Sequence, residues 1–168
     1  LCAYMSEAQD SLLAECIGTE PLSWIRFDGL GVAFWLKNKD KLSELVESMC
    51  RVEYSKSVPL EEISLFYLLI GKKRALQALW KTNSRADPSS ARISQFILQD
   101  FSDESHRLVA AKNAYASLSK QRNKLAIMFF LLADKVKDSI LVALDTLKDI
   151  SLAVTIARLS GQEQALIE

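Results

Sequence analysis

The chain has 168 residues, of which 49% are hydrophobic and 25% are charged, and it contains only 5 Gly and 3 Pro. This composition provides a hydrophobic core and excludes collagen-like, linker-like and disordered classes, while the scarcity of turn residues argues against a β-sandwich. Lys plus Arg and Asp plus Glu each number 21, so a net charge of zero offers no long-range attraction to nucleic acid or to an anionic membrane.

The length predicts a single domain over residues 1–168. Because residue 1 is Leu rather than Met, we expect a fragment of a larger protein. The cysteines are odd in number and form no Cys-x-x-Cys pair, so they predict neither a disulfide framework nor a zinc site. They are expected to be small apolar side chains in a reducing compartment, and they are Cys2, Cys16 and Cys50.

The first helix with a clear apolar face is predicted in the N-terminal third. Asn38 is its expected N-cap, because an Asn side chain accepts hydrogen bonds from the first free backbone amides of a helix. The apolar stripe repeats at helical spacing and comprises Leu42, Leu45, Val46 and Met49. Breaks are expected before it, at residues 19–21 and 28–31.

A second helix is predicted between Ser57 and Gly71. Pro59 suits its first turn, Glu61 and Glu62 follow where acidic groups favour the helix dipole, and Gly71 can end it. Its apolar residues surround most of the circumference, so other helices must cover it on several sides. The polar stretch 82–90 comes later and is predicted to be an exposed, mobile loop that acts as a spacer, with regulatory phosphorylation as the alternative.

Three amphipathic helices and one wholly apolar helix are predicted after that loop. Ser102 is the expected N-cap of the first, with Asp103 and Glu104 in its first turn. The apolar run 125–133 is far shorter than the ~20 residues that span a bilayer, so it predicts a buried helix and no transmembrane segment. The three amphipathic stripes are Leu108, Ala111, Tyr115 and Leu118; Val136, Ile140, Leu144 and Leu147; and Ile150, Ala153, Val154 and Leu159.

An internal repeat aligns residues 65–72 (LFYLLIGK) with residues 128–135 (MFFLLADK) at an offset of 63. Each copy precedes an amphipathic stretch, which predicts a buried helix, a tight turn and a half-buried helix. The fold prediction is therefore all-α, with about eight helices in antiparallel hairpins stacked as an α-solenoid segment. The predicted core includes Phe66, Tyr67, Leu69, Phe129, Phe130 and Leu132.

No catalytic, cofactor or metal site is predicted. His106 is the only histidine, so a triad or a zinc site would depend on it alone, and helix packing is the preferred interpretation. Gly29 and Gly31 begin like a dinucleotide-binding fingerprint, but position 34 is Phe and no strand precedes them. The acidic residues spaced along the last helices are interpreted as a solvated surface, and they are Asp134, Asp138, Asp145 and Asp149.

Partner-binding residues are not identifiable from these patterns. Lys72, Lys73 and Arg74 form a basic cluster that suits a helix C-terminus, with phosphate or lipid binding as the alternative. Trp35 and Trp80 are expected in the core, although one of them could instead anchor a partner.

Seven segments of the sequence form a recognisable pattern, and they are 31–38 (GVAFWLKN), 65–68 (LFYL) with Lys72 and Lys73, 100–101 (DF), 110–115 (AAKNAY), 129–133 (FFLLA) with 137–138 (KD), 147–153 (LKDISLA) and 156–159 (IARL). In this order and spacing, they resemble the helical region of the DmX-like/rabconnectin family. That family includes the large subunit of the RAVE regulator of the vacuolar and endosomal proton-pumping ATPase. The resemblance covers about residues 24–159, whereas residues 1–21 carry little of the pattern. This sequence departs from the family pattern at three positions. The family usually has Trp at the position of His106, and Gly at the positions of Ser119 and Asp134.

The resemblance implies a scaffold without enzymatic activity or cofactors that promotes V1–Vo association and organelle acidification. The implied partners are V1 subunits of the V-ATPase and a Rogdi-type subunit, with no nucleic acid. The implied location is cytoplasmic and peripheral to vacuolar or endosomal membranes. The alternative from the helical pattern is an α-solenoid scaffold of a vesicle coat or tethering complex.

Overall fold

A computed structural model describes residues 7–84 and 88–166 of the chain. Over these residues all regular structure is helical, which confirms the all-α prediction, and Cys2 and residues 85–87 of the predicted loop lie outside them. The helices are α1 (Gln9–Ile17), α2 (Trp24–Gly29), α3 (Val32–Trp35), α4 (Lys39–Ser55), α5 (Leu60–Leu69), α6 (Lys73–Asn83), α7 (Pro88–Ile97), α8 (Glu104–Leu118), α9 (Asn123–Leu132), α10 (Val136–Leu141), a π-helix (Val142–Thr146), α11 (Ile150–Ser160) and a 3₁₀ helix (Glu163–Leu166).

The two most apolar helices, α5 and α9, pack against each other at the centre of the molecule. Helices α4 and α6 cover α5, helices α8 and α10 cover α9, and α11 closes the assembly against α3, α4, α5 and α10. This arrangement follows from the sequence, because a helix that is apolar around its circumference must be enclosed. It places the predicted core residues Phe66, Tyr67, Phe129, Phe130 and Leu132 inside.

The prediction that Leu69 lies in the core is wrong, because its side chain is only half-buried. It belongs to the last turn of α5, and there it lines a surface depression beside the turn that follows α9. Residues in the last turn of a central helix lose the neighbours that cover the middle of that helix, so apolar character alone overstated its burial.

The repeat detected in the sequence is also a repeat of backbone geometry. Helices α5 and α9 begin and end at positions that differ by 63 residues, and Gly71 and Asp134 after them have φ values of 72° and 58°. The Lys72 amide donates to the Tyr67 carbonyl at 2.8 Å, and the equivalent bond after α9 is 2.9 Å. Both turns are Schellman motifs, so Asp134 occupies a left-handed position for which Gly is better suited.

Helix starts agree with the predictions at Asn38 and differ at Ser102. The Asn38 carboxamide oxygen accepts from the Asp40 amide at 3.0 Å, as expected of an N-cap. At α8 the cap is Asp103, whose carboxylate accepts from the Ser105 amide at 2.8 Å. Ser102 is not the cap because its own amide donates to the Asp100 carboxylate at 2.9 Å, which holds it in the preceding turn.

The prediction of a loop over residues 82–90 is also corrected by the structure. Helix α6 continues to Asn83 and α7 begins at Pro88, so both ends of the stretch are helical. Ser90 is buried, and its hydroxyl accepts from the Asn83 side-chain amide at 3.3 Å. The polar composition of the stretch predicts a loop, but Pro at a first helical position and buried, hydrogen-bonded Ser side chains are compatible with helices.

The π-helix interrupts the predicted stripe of Val136, Ile140, Leu144 and Leu147. Val136 and Ile140 are buried as predicted, but Leu144 and Leu147 are half-buried. Leu147 donates from its amide to the Val142 carbonyl at 3.0 Å, which is the i to i−5 bond of a π-helix. The wider turn rotates the following side chains away from the direction that a 3.6-residue period predicts. In α11, Ile150 is 61% exposed and Val154 half-buried, so neither is a core residue.

Candidate interaction surfaces

The residues considered for catalysis or metal binding have structural roles. The His106 Nδ1 lies 2.7 Å from the Asp100 carbonyl, and the imidazole stands edge-on to Phe101. Gly31 has a φ of 59° in the turn between α2 and α3. Burial raises the pKa of the Cys50 thiol to about 12, so this thiol is protonated at neutral pH. Within 7–84 and 88–166, no group of His, Cys, Asp and Glu side chains is arranged to hold a metal ion.

The basic cluster is held largely by contacts inside the chain. Lys72 forms an ion pair with Glu47, and hydrogen bonds from Lys72 and then Arg51 lower the pKa of that carboxyl below its usual range. Lys73 donates to the Gln99 carbonyl at 2.8 Å, and its Nζ lies 4.6 Å from the centre of the Phe101 ring. The helix-end explanation was incomplete, because these cations also begin α6, where the dipole disfavours them.

Both candidate tryptophan anchors are core residues, as the preferred interpretation predicted. Trp35 is 9% exposed, and its indole donates to the Leu30 carbonyl at 2.9 Å. Trp80 is 2% exposed, and its indole donates to the Ser64 hydroxyl at 2.9 Å. Each ring is therefore anchored to this chain at both its apolar body and its polar edge.

The segment between α3 and α4 is held from two sides by side chains that the sequence interpretation did not single out. The Gln9 carboxamide donates to the Trp35 carbonyl at 2.7 Å and accepts from the Lys37 amide at 2.8 Å. From α11, Arg158 donates to the carbonyls of Ala33 at 2.6 Å and Leu36 at 2.5 Å. The signal in the sequence is that Arg158 is the one charged residue of α11.

Helix α8 faces the core with its small residues, so only part of the predicted stripe is covered: Ala111 is buried and Leu118 is half-buried. Ala110, Ala114 and Ser117 are buried against α9, whereas Leu108 is 56% and Tyr115 is 54% exposed. The large side chains of α9 already fill the interface, so only small ones fit opposite them and the two helices approach closely. Leu108, Val109 and Tyr115 consequently lie on the outward side of α8.

A groove runs between α7 and α8. These helices are consecutive in the chain, but α7 packs on α6 and α8 packs on α9. The groove has a volume of about 410 Å³, with Leu125 and Phe129 of α9 as its floor and Phe96 of α7 in one wall. The rings of Phe96 and Phe129 meet edge-on, with centroids 5.7 Å apart. Its charged lining residues are Arg92, Lys120 and Arg122.

A smaller depression of opposite charge lies on the other flank of α8. It has a volume of about 180 Å³ and is lined by Tyr115 and Leu118 together with Leu141 of α10. Its charged lining residues are Asp138 and Asp145. Helix α8 therefore separates a basic groove from an acidic depression, and both adjoin exposed apolar side chains.

Comparison with known proteins identifies the family. The sequence profile described as "RAVE protein 1 C terminal" matches residues 1–167, which extends the resemblance beyond 24–159 and through the N-terminal residues. Human DmX-like protein 1 is 34% identical over 164 residues, or 96% of this chain and 5% of its own length. The protein named regulator of V-ATPase in vacuolar membrane protein 1 is 33% identical in Saccharomyces cerevisiae, over 88% of this chain and 11% of the relative. Its Schizosaccharomyces pombe counterpart is 35% identical, over 83% and 11%.

The chain spans between 5% and 11% of the length of these relatives. None of the helices at 7–84 and 88–166 combines the length and the apolarity needed to cross a bilayer. The family match covers nearly the whole sequence, and the relatives are named for DmX likeness or for V-ATPase regulation. The chain belongs to the RAVE protein 1 C-terminal family, as its resemblance to DmX-like proteins predicted.

Proposed function

We propose that this chain is a non-catalytic scaffold segment of a V-ATPase regulator that promotes V1–Vo association and thereby organelle acidification. The observation that carries the proposal is the family match together with 33–35% identity to two fungal proteins named regulators of V-ATPase in the vacuolar membrane. The relatives reported above are not named for a vesicle coat, so that alternative is not retained.

The proposed scaffold is one helical domain over residues 1–168 of a longer protein, built as an α-solenoid segment. Its support is the pair of repeated units, in which α5 and α9 pack side by side and end in equivalent turns. A scaffold of this kind presents ordered helix faces to its partners. The proposed partners are V1 subunits and a Rogdi-type subunit, and the proposed location is cytoplasmic and peripheral to vacuolar or endosomal membranes.

Capture from a membrane-free cell extract tests this proposal. The 168-residue chain is immobilised, and proteins that it retains are identified by mass spectrometry against a helical bait of unrelated sequence and equal charge. We expect enrichment of V1 subunits on this chain alone. Recovery of coat subunits in place of V1 subunits, or equal recovery on both baits, would contradict the proposed function.

A further inference from the structure

The groove between α7 and α8 has an apolar floor that is open to the surface. It remains open because α7 packs on α6 and α8 packs on α9, so the two helices do not close on each other. The side chains of Leu125 and Phe129 are almost wholly buried, yet both reach the groove surface, and Phe96 beside them is half-buried. A volume of about 410 Å³ lies within the range of about 300–1,000 Å³ typical of ligand pockets. It is large enough to receive apolar side chains from outside the chain.

The charged side chains that line the groove are all cationic. Arg92 and Lys120 are exposed on opposite walls and form no ion pair with the residues that the structure describes. Arg122 also lines the groove and is bound to Glu61, with Nε and Oε2 2.9 Å apart. None of the described residues that line the groove is acidic. Because the net charge of the chain is zero, this positive rim is a local feature and not a general excess of cations.

We propose that the groove binds an amphipathic helix of a protein partner, with large apolar side chains on one face and Asp or Glu on either side of them. An apolar floor between two cationic walls matches such a helix in shape and in charge. The inference deepens the proposed scaffold function and rests on it, because it names the surface and the chemistry of the partner that the scaffold would hold.

Binding of a designed peptide tests the groove directly. The probe is a fluorescently labelled amphipathic helix of about 18 residues, with Leu on one face and Glu on the other, followed by anisotropy. A second peptide keeps every Glu and replaces every Leu with Ser. We expect the first peptide to bind and the second to bind at least about tenfold more weakly, because the floor recognises apolar side chains.

Three variants locate the binding. R92E/K120E inverts the groove charge, and A116F places a large side chain in the groove from an exposed position of α8. R74E/K56E is the matched control, because it makes the same charge change at exposed sites outside the groove. Circular dichroism of each variant checks that its fold is intact. We expect a loss of about tenfold or more in both groove variants and a change below about twofold in the control.

Several outcomes would overturn the inference. They are equal weakening in the control, unaltered binding in A116F, stronger binding to anionic phosphatidylserine vesicles than to the peptide, and a self-associating chain whose dimer is lost in R92E/K120E.

Capture of V1 subunits separates this inference from the proposed function. If native chain and groove variants retain V1 subunits equally, the groove assignment fails and the scaffold function stands. If the peptide binds in the groove but no V1 subunit is retained, the groove assignment stands and the proposed scaffold function fails.

Discussion

Arg158 donates from its Nη1 to the backbone carbonyl of Ala33 at 2.6 Å, and this bond joins residues 125 positions apart. The same guanidinium also donates to the Leu36 carbonyl, so it satisfies the free carbonyls at the end of the short helix α3. The first and last segments that resemble the DmX-like family, 31–38 and 156–159, therefore meet in space. Two motifs that are remote in the sequence form one contact.

Substitution R158A is expected to lower the free energy of unfolding by about 2–3 kcal/mol, because it removes charge-assisted hydrogen bonds and leaves carbonyls of α3 unpaired. R158K should recover only part of that loss, since an ammonium does not reproduce the guanidinium fork. Urea unfolding followed by circular dichroism measures both. R74A, at an exposed site, serves as control and should change stability by less than about 0.5 kcal/mol.

The hydrogen bond between Trp80 and Ser64 provides a second test of the core. S64A leaves the buried indole N–H without its acceptor and is expected to cost about 1–3 kcal/mol. A double-mutant cycle with W80F isolates the interaction, because Phe has no N–H to satisfy. We expect S64A to cost less in the W80F background. Strictly additive effects would show that the two side chains are not coupled.

The sequence predicted α5 well because its signals are local. Pro59, Glu61 and Gly71 mark its ends, and the apolar residues around most of its circumference require enclosure by other helices. The orientation of α8 was not predictable in this way, because the helix offers both a stripe with Leu108 and Tyr115 and a stripe of small residues. The large side chains of α9 determine which stripe is buried, and no local pattern in α8 contains that information.

The groove and the Arg158 contact were also beyond sequence interpretation. The predicted hairpins make consecutive helices neighbours, but they do not indicate that α7 packs on α6 and α8 on α9 while a groove separates α7 from α8. Arg92 and Lys120 are 28 positions apart in sequence and become rims of one groove only through that pairing. Such sites depend on packing choices made elsewhere in the chain.

The orientation of α8 predicts that A114L destabilises the chain more than L108S does, although Leu108 and not Ala114 belongs to the predicted apolar stripe. A114L places a large side chain in the close contact with α9 and is expected to cost about 1–3 kcal/mol. L108S removes an apolar side chain that is 56% exposed and should change stability by less than about 0.5 kcal/mol. Thermal unfolding of both variants decides the orientation. A larger loss in L108S would mean that the stripe with Leu108 faces the core.

The ion pairs of Glu47 predict a dependence of stability on pH. Lys72 and then Arg51 hold the pKa of this carboxyl below its ordinary value of about 4.3. A depressed pKa in the folded state contributes stability that is present above the ordinary pKa and is lost as pH falls through the folded-state pKa. E47Q should therefore melt below the native chain at pH 7, and the difference should shrink below about pH 4. A difference in melting temperature that is constant from pH 7 to pH 3 would contradict this assignment.

Two adjacent serines in the polar stretch 82–90 are expected to respond oppositely to a negative charge. Ser89 is exposed in the first turn of α7, where a carboxylate is favoured by the helix dipole, so S89D should change stability by less than about 0.5 kcal/mol. Ser90 is buried and bound to Asn83, so S90D places a charge in the interior and should cost more than about 2 kcal/mol. Urea unfolding compares them. If the chain tolerates both substitutions equally, Ser90 faces solvent and α7 does not begin where the structure places it. If only S90D unfolds at a lower urea concentration, a regulatory phosphate at Ser90 would require α7 to open first.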